Sequence, residues 1–153
     1  MGTEVTRIDI LKMLLYAPGP SGTPNSPIIG KTRLQKEVFL AQKELRDRGI
    51  KRKYGFMPYH YGPFSRQLYF DINLLKSKGL VEEQTYETAQ AGIYRKFKLT
   101  SKGVHDIEGL IQNEDLKDIY EAVKKVKHTY DGMALRDLVQ FTHQKFPEYA
   151  RNQ

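Results

Sequence analysis

Side chains that can read DNA bases are spaced along one predicted helix, at residues 63–78. Pro63 suits the first position of this helix, because its missing N–H needs no partner there, and Ser65 is an alternative N-cap. Leu68, Ile72 and Leu75 recur at helical spacing and form an apolar face. The opposite face carries residue types that bond base edges and phosphates, namely Ser65, Arg66, Gln67, Tyr69, Asn73 and Lys76. The spacing therefore predicts a recognition helix for the major groove of DNA.

The expected chemistry is hydrogen bonding to a duplex. Gln67 and Asn73 can each pair bidentately with adenine, and Arg66 with guanine. Contacts to phosphates, which set the register on the duplex, are predicted for Lys31, Arg33, Lys36, Arg95 and Lys96. The first three crowd the start of another predicted helix, where positive charge opposes the helix dipole. A phosphate backbone across that helix end would offset the repulsion, although an exposed helix also tolerates so small a cost.

Positive charge is concentrated in the middle of the chain. The net charge is +7, and residues 31–78 hold twelve basic and four acidic side chains, a net charge of +8. Residues 1–30 are neutral and residues 79–153 carry −1. A local basic surface attracts a polyanion and speeds the encounter with it. The same excess is also expected of a solvated, lysine-rich face.

The elements around the recognition helix indicate a winged helix-turn-helix protein. Apolar periodicity predicts helices over residues 3–16, 29–48, 100–113, 114–128 and 133–145, and strands over 53–60, 81–86 and 93–99. Candidate helix caps and stops are Thr3 or Thr6, Thr32, Thr100, Gly49 and Gly79. The two strands within 81–99 form a hairpin, or wing, whose return strand carries the predicted phosphate contacts. The predicted class is α+β and mainly α, with a two-stranded wing and a C-terminal helical extension.

The chain divides into a winged helix-turn-helix domain over residues 1–112 and a helical pair over 113–153. Within the first part, residues 17–29 (APGPSGTPNSPII) are rich in proline and glycine, which predicts an exposed, flexible loop. The C-terminal pair is amphipathic, so it can pack on the domain, self-associate or bind another protein. Two copies bound to half-sites about one DNA turn apart are expected, which predicts a homodimer.

Several classes of function are excluded by what the sequence lacks. There is no cysteine, and the four histidines have no metal-ligand spacing, so no metal site is predicted. Gly30-Lys31-Thr32 matches the end of a phosphate-binding loop, but Asn25 stands where that motif needs its first glycine. We therefore predict no cofactor and no enzymatic activity. No apolar run approaches the roughly 18 residues of a membrane span, which favours a cytoplasmic protein without a membrane partner.

Short motifs along residues 30–150 resemble a known family. They are KTRLQK at 31–36, FLA at 39–41, YHYGPFS at 59–65 and FPEY at 146–149. These motifs are similar to those of the Panacea domain of SocA-type antitoxins and related stand-alone proteins. The resemblance implies a role in neutralising a toxin, and several relatives are expected to bind DNA. The sequence departs from the family at Glu37, where the family helix is usually apolar, and in its proline-rich loop before Lys31.

An alternative function uses the same scaffold to bind a toxin-like partner protein. Five aromatic residues lie within residues 59–70, namely Tyr59, Tyr61, Phe64, Tyr69 and Phe70. Tyrosine is favoured at the centre of protein interfaces. The same residues could instead fill the core of a small domain. The alternative therefore requires that Tyr59, Tyr61 and Tyr69 are not all buried in the monomer.

Overall fold

Six α-helices and two small antiparallel sheets make up the part of the chain that the computed structural model describes, residues 4–90 and 92–150. The helices are α1 (Arg7–Tyr16), α2 (Lys31–Asp47), α3 (Arg66–Ser77), α4 (Ser101–Leu110), α5 (Glu114–Tyr130) and α6 (Leu135–Lys145). The strands are β1 (Ile28–Ile29), β2 (Met57–Tyr59), β3 (Gly62–Phe64), β4 (Val81–Thr88) and β5 (Gly92–Leu99). A 3₁₀ turn over Pro147–Tyr149 follows α6. The predicted α+β class is confirmed. None of these helices is long and apolar enough to cross a membrane.

The larger sheet has the strand order β1-β5-β4. β4 and β5 form the predicted hairpin, paired from Val81 opposite Leu99 to Thr88 opposite Gly92. Its base is buried, whereas its distal half is largely exposed. The hairpin therefore projects from the body of the protein.

The third strand, β1, corrects the expectation that residues 17–29 are irregular throughout. Ile28 pairs with Phe97 of β5, and both side chains are buried in the core. The Asn25 side chain donates to the Leu99 carbonyl at 3.0 Å and accepts from the Leu99 N–H at 2.9 Å. Side-chain and strand pairing thus fix the end of this proline-rich segment on β5.

α2 lies at the centre of the fold, in contact with α1, α5, α6, β1 and β3. The main core joins side chains from most helices, including Leu14, Leu34, Ile72, Ile107, Leu116 and Val123. A second apolar cluster joins α2 to the C-terminal helices through Phe39, Leu40, Ala41, Val126 and Leu138. The C-terminal helices thus contribute to the cores that surround α2.

Helix ends follow the predicted caps and stops in four cases. Thr6 and Asp9 form a capping box at α1, in which each side chain bonds the other's backbone N–H. The Thr100 hydroxyl accepts from the Gly103 N–H at 3.1 Å at the start of α4. Gly49 follows α2 with φ +88° and Gly79 follows α3 with φ +72°, left-handed conformations that favour glycine. These four predictions are confirmed.

Three local predictions before α3 are wrong. The N-cap of α2 is Gly30 and not Thr32, and no side chain bonds the free N–H groups there. Pro63 lies in β3, and α3 begins only at Arg66. The alternative N-cap, Ser65, does occupy the capping position, but its hydroxyl makes no capping bond. The strand expected over residues 53–60 is confined to Met57–Tyr59, which pairs with Gly62–Phe64. The tight turn at His60-Tyr61 therefore connects two short strands instead of opening the helix.

Candidate functional site

α3 is held on its inner side by a buried polar contact. Asp71 is fully buried and accepts hydrogen bonds from Arg7 Nε at 2.8 Å and Arg7 Nη2 at 3.1 Å. It also accepts a hydrogen bond from Tyr54 Oη at 2.7 Å. The predicted apolar face is buried with it, at Leu68, Ile72 and Leu75. The contact with Arg7 of α1 fixes the rotation of α3 and hence the direction of its opposite face.

The outer face of α3 is an exposed stripe of residues at helical spacing, Arg66, Phe70, Asn73 and Ser77. Within the described residues, neither Arg66 nor Asn73 has an ion pair or a side-chain hydrogen bond. Both side chains are thus free to bond a ligand. Phe70 lies between them with 64% of its surface exposed, which places an apolar group at the centre of the stripe.

Gln67 and Lys76 are exposed but already have partners. Gln67 Oε1 accepts from the Gly55 N–H at 2.8 Å, which fixes the preceding loop against the first turn of α3. Lys76 Nζ lies 3.0 Å from Glu83 Oε1 on β4. Arg95 Nη1 lies 2.8 Å from the other oxygen of the same carboxylate. Two predicted DNA-contacting cations therefore share one counter-ion and keep a net charge of +1.

Glu83 is ionised in this triplet. Burial by itself raises the pKa of Glu83, but the hydrogen bonds and charges of Lys76 and Arg95 outweigh it, so the pKa lies below its ordinary value. The triplet links the last turn of α3 to the base of the hairpin. It therefore sets the angle between the predicted recognition helix and the predicted wing.

Lys31 is exposed at the start of α2, and its Nζ lies 5.3 Å from the centre of the Tyr69 ring. Tyr69 is half-buried and packs edge-on against Phe64 at 5.3 Å. Burial raises the pKa of the Tyr69 hydroxyl. The N-terminus of α2 and one side of α3 thus meet in a small aromatic and cationic surface.

The opposite face of the hairpin carries a second cation–aromatic contact. Tyr86 and Tyr94 stack with ring centres 4.8 Å apart and an angle of 17° between their planes. Lys96 Nζ lies 3.8 Å from the centre of the Tyr86 ring. Arg95 and Lys96 therefore point to different faces of the hairpin, and only Arg95 faces α3.

Arg33 was predicted to hold a phosphate, and the structure corrects this prediction. Its guanidinium group is buried and donates to three main-chain carbonyls between α5 and α6, those of Tyr130, Asp131 and Met133, at 3.2, 3.2 and 2.6 Å. These carbonyls lie at and just beyond the C-terminus of α5, where the helix dipole favours a cation. Arg33 therefore joins α2 to the C-terminal helices.

Lys36 and Ser65 are also internal residues, which corrects the prediction that their side chains contact DNA. Lys36 is 2% exposed and donates to the Pro63 carbonyl at 3.2 Å. Burial lowers the pKa of Lys36 to about 8. Ser65 is 1% exposed, and its backbone N–H and C=O both bond the side chain of Gln35 at 2.8 and 3.0 Å. These bonds fasten the hairpin β2–β3 and the start of α3 to α2.

The aromatic surface, here defined as Met57, Tyr59, Tyr61, Phe64 and Tyr69, lies on the β2–β3 hairpin and the adjacent side of α3. Tyr59 packs on Phe64 at 4.8 Å and Phe64 on Tyr69 at 5.3 Å, so three rings form a continuous row. Tyr59 is 38% exposed and Tyr61 60% exposed. The condition for a protein-binding surface, that these tyrosines are not all buried, is therefore met.

One group of cations was not among the predicted site residues. Arg46, Lys51 and Arg52 are exposed around the turn that follows α2. The charge excess of residues 31–78 contained this signal, as the run RDRGIKRK at 46–53. Because the run lies outside the predicted recognition helix and the wing, the sequence pattern gave this turn no role.

No group of three or more potential metal-binding side chains occurs among the residues that the structure describes. Comparison with known proteins gives no match to a protein-family model and no significant match to a curated protein.

Proposed function

We propose that the chain is a winged-helix protein that binds double-stranded DNA and regulates transcription. The observation that carries this proposal is the free outer face of α3 beside a projecting hairpin. The element order α1-β1-α2-α3-β4-β5, with the sheet order β1-β5-β4, supports it, because a helix-turn-helix pair followed by a wing requires such an order. The α2–α3 connection is longer than a simple turn, since it contains the β2–β3 hairpin.

In this proposal α3 enters the major groove with Arg66 toward guanine and Asn73 toward adenine. Gln67 and Phe70 lie beside them, and Phe70 suits the methyl group of thymine. Lys31, Lys76, Arg95 and Lys96 remain for phosphates, which fix orientation and carry no sequence information. Two copies of the chain would place their α3 helices in successive major grooves about 34 Å apart.

Arg66→Ala should weaken binding to a selected duplex by about 1–3 kcal/mol and relax the base preference at one position. The reason is that Arg66 is exposed, free of internal partners and at the start of the outer stripe. The measurement is fluorescence anisotropy with duplexes selected from a random pool, followed by single-base variants of the best site.

Arg136→Ala is the matched control, because Arg136 is an exposed arginine on α6, a helix assigned no DNA contact. It should leave affinity and base preference unchanged. Failure of the wild-type protein to bind any duplex at low salt would reject the proposed function.

A second candidate function is binding of a toxin-like protein, and the exposed aromatic surface favours it. Tyr61 is 60% exposed and Met57 44% exposed, and side chains of both types are enriched at interfaces. Tyr61→Ala should then reduce the yield of a co-purifying stoichiometric partner by about tenfold or more, since an interface hot spot contributes about 2 kcal/mol or more.

The control for this second function is Ile93→Ala at the tip of the β4–β5 hairpin, where the isoleucine is 68% exposed and lies outside the aromatic surface. Its partner yield should match that of the wild-type protein. An unaltered yield with Tyr61→Ala would exclude the aromatic surface as the binding site.

A further inference from the structure

Three exposed cations surround a recess at the C-terminal end of α2. Arg46, Lys51 and Arg52 line it together with Gly49 and Ile50, and its volume is about 420 Å³. We call this site the basic recess. Gly49 turns the chain here with φ +88°, so residues 51 and 52 return beside the last turn of α2. The turn thereby gathers cations from two segments around one concave surface.

The cations of the basic recess lack compensating carboxylates, unlike their neighbours. Arg48 pairs with Glu44 at 3.2 Å, and Lys53 pairs with Glu4 at 3.5 Å. Within the described residues, no carboxylate lies within ion-pair distance of Arg46, Lys51 or Arg52. The basic recess therefore carries three positive charges that no described acidic group neutralises.

The end of a helix accounts for only part of this charge. Cations near a helix C-terminus interact favourably with its dipole, which explains a position such as Arg46 in the last turn. Lys51 and Arg52 lie beyond Gly49 and outside the helix, and the dipole effect falls off within the last turn. The helix dipole therefore does not explain why Lys51 and Arg52 lie next to Arg46.

The basic recess is close to the start of α3. Lys53 N–H and Tyr54 N–H both bond Gln42 Oε1 of α2, at 3.0 and 2.7 Å. Gly55 N–H then bonds Gln67 Oε1 of α3 at 2.8 Å. Arg52 and Gly55 are three positions apart in the chain, so their Cα atoms are at most about 11 Å apart. Even this upper limit is below the width of the major groove, about 12 Å, in which α3 is proposed to lie.

We propose that the basic recess binds the phosphate backbone of the same duplex whose bases α3 contacts. This inference rests on the proposed function and names the surface that supplies its phosphate contacts. The strand that borders the groove at the N-terminal end of α3 passes over Arg46, Lys51 and Arg52. A large share of the salt-dependent affinity then comes from this turn, since Lys76 and Arg95 are already neutralised in part by Glu83.

The test is the salt dependence of duplex binding by the full chain, measured by fluorescence anisotropy from about 50 to 300 mM NaCl. The recess variant is Arg46→Gln/Lys51→Gln/Arg52→Gln, and the control with the same charge change is Lys117→Gln/Lys125→Gln/Arg136→Gln. All three control residues are exposed on α5 or α6. The slope of log K against log salt should fall by about 0.9 for each phosphate that the variant no longer neutralises, hence by roughly 3 in the recess variant. The control should keep the wild-type slope.

A third variant, Arg46→Lys/Arg52→Lys, retains the charge and should retain the slope, which separates an effect of charge from an effect on folding. Equal slopes in the recess variant and the wild type would overturn the inference, as would equal changes of slope in the recess variant and its control. If Arg66→Ala still weakens binding in that case, α3 reads DNA without the basic recess. Absence of duplex binding by the wild-type chain would reject both proposals together.

Discussion

Replacing Arg7 with methionine is expected to lower the free energy of unfolding by about 3 kcal/mol or more. The carboxylate of Asp71 is buried, and Arg7 contacts both of its oxygens at 2.8 and 3.1 Å. Without the guanidinium group, Asp71 retains a buried charge bonded by the Tyr54 hydroxyl alone among its described side-chain partners. Although 35% of the Arg7 side chain is exposed, the charge that its removal leaves without a partner is buried. Removing the partner of a buried charge is costly for this reason, even though forming the pair contributes little net stability.

Arg48→Met is the matched control for Arg7→Met. Arg48 pairs with Glu44 at 3.2 Å, but 47% of its side chain and 38% of its partner's are exposed. Loss of such a pair costs less than about 1 kcal/mol, because water solvates both groups. Urea denaturation followed by circular dichroism gives both values. If the two variants lose the same stability, the Arg7–Asp71 contact behaves as a surface pair and our interpretation is wrong.

The same contact bears on the proposed DNA binding through the position of α3. Arg7 belongs to α1 and Asp71 to the inner face of α3, so the pair fixes which residues of α3 face outward. Arg66 and Asn73 owe their exposure to that rotation. A loosened α3 would present these side chains with less definite geometry. If the chain binds DNA as proposed, this loss of order lowers base discrimination before it abolishes phosphate contacts.

Apolar periodicity in the sequence was sufficient to place most of the helices. Leu68, Ile72 and Leu75 lie at i, i+4 and i+7, and all three are buried as predicted. The hairpin was also predictable, since two extended runs flank a short polar tip. These elements bury an apolar face and expose a polar face. Apolar periodicity predicts which residues are buried only in elements of this kind.

α2 violates that condition, and the sequence-based site assignments failed there. It is surrounded by other elements, so Gln35, Lys36, Glu37 and Gln42 are buried although their side chains are polar. Gln35 bonds the backbone N–H and C=O of Ser65, and Gln42 bonds those of Tyr54. Both backbone segments lie outside helices and strands, so they need side-chain partners. Periodicity cannot tell a polar side chain with an internal partner from one in water. For this reason the sequence pattern predicts, wrongly, that the Lys36 side chain is exposed to solvent and contacts DNA.

Glu37 is the least expected of these buried residues. Its side chain is completely buried in the contact between α2 and α5, and neither carboxyl oxygen has a hydrogen-bond donor among the described residues. It faces the carboxyl group of Asp131, with Lys127 of α5 and Arg33 of α2 nearby. Lys127 donates to the carbonyls of Leu15 and Ser26, and Arg33 to those between α5 and α6. The two cations are thus bound elsewhere.

A protonated Glu37 resolves the conflict between these two carboxyl groups. Burial raises the pKa of Glu37 well above its ordinary value of 4.5, and a hydrogen bond to Asp131 and the charge of that carboxylate raise it further. Lys127 and Arg33 lower it, but by less. The acid form donates its proton to Asp131 and satisfies both groups, whereas the ionised form would place two carboxylates together in the interior.

The free energy of unfolding of the wild-type protein is expected to fall as the pH rises because Glu37 ionises. Glu37→Gln is therefore expected to abolish this part of the pH dependence. Because the pKa of Glu37 is raised on folding, its favourable contribution is complete below 4.5 and is lost as the pH rises through the folded-state pKa. Between the two pKa values the folded state holds one extra proton, so stability falls by about 1.4 kcal/mol per pH unit from this group alone. The amide introduced at position 37 donates to Asp131 without titrating, so the variant gains stability relative to the wild type as the pH rises.

The measurement is the free energy of unfolding from about pH 4 to 8 for the wild type, Glu37→Gln and the control Glu44→Gln. Glu44 lies on the same helix with 38% of its side chain exposed, and its ion-pair partner among the described residues is the exposed Arg48. The difference between Glu37→Gln and the wild type should widen with pH, while the curve for Glu44→Gln stays parallel to that of the wild type. Parallel curves for all three proteins would mean that Glu37 is ionised in the folded state. Lys127 and Arg33 would then neutralise the two carboxylates, and the contact between α2 and α5 would depend on four charges instead of a shared proton.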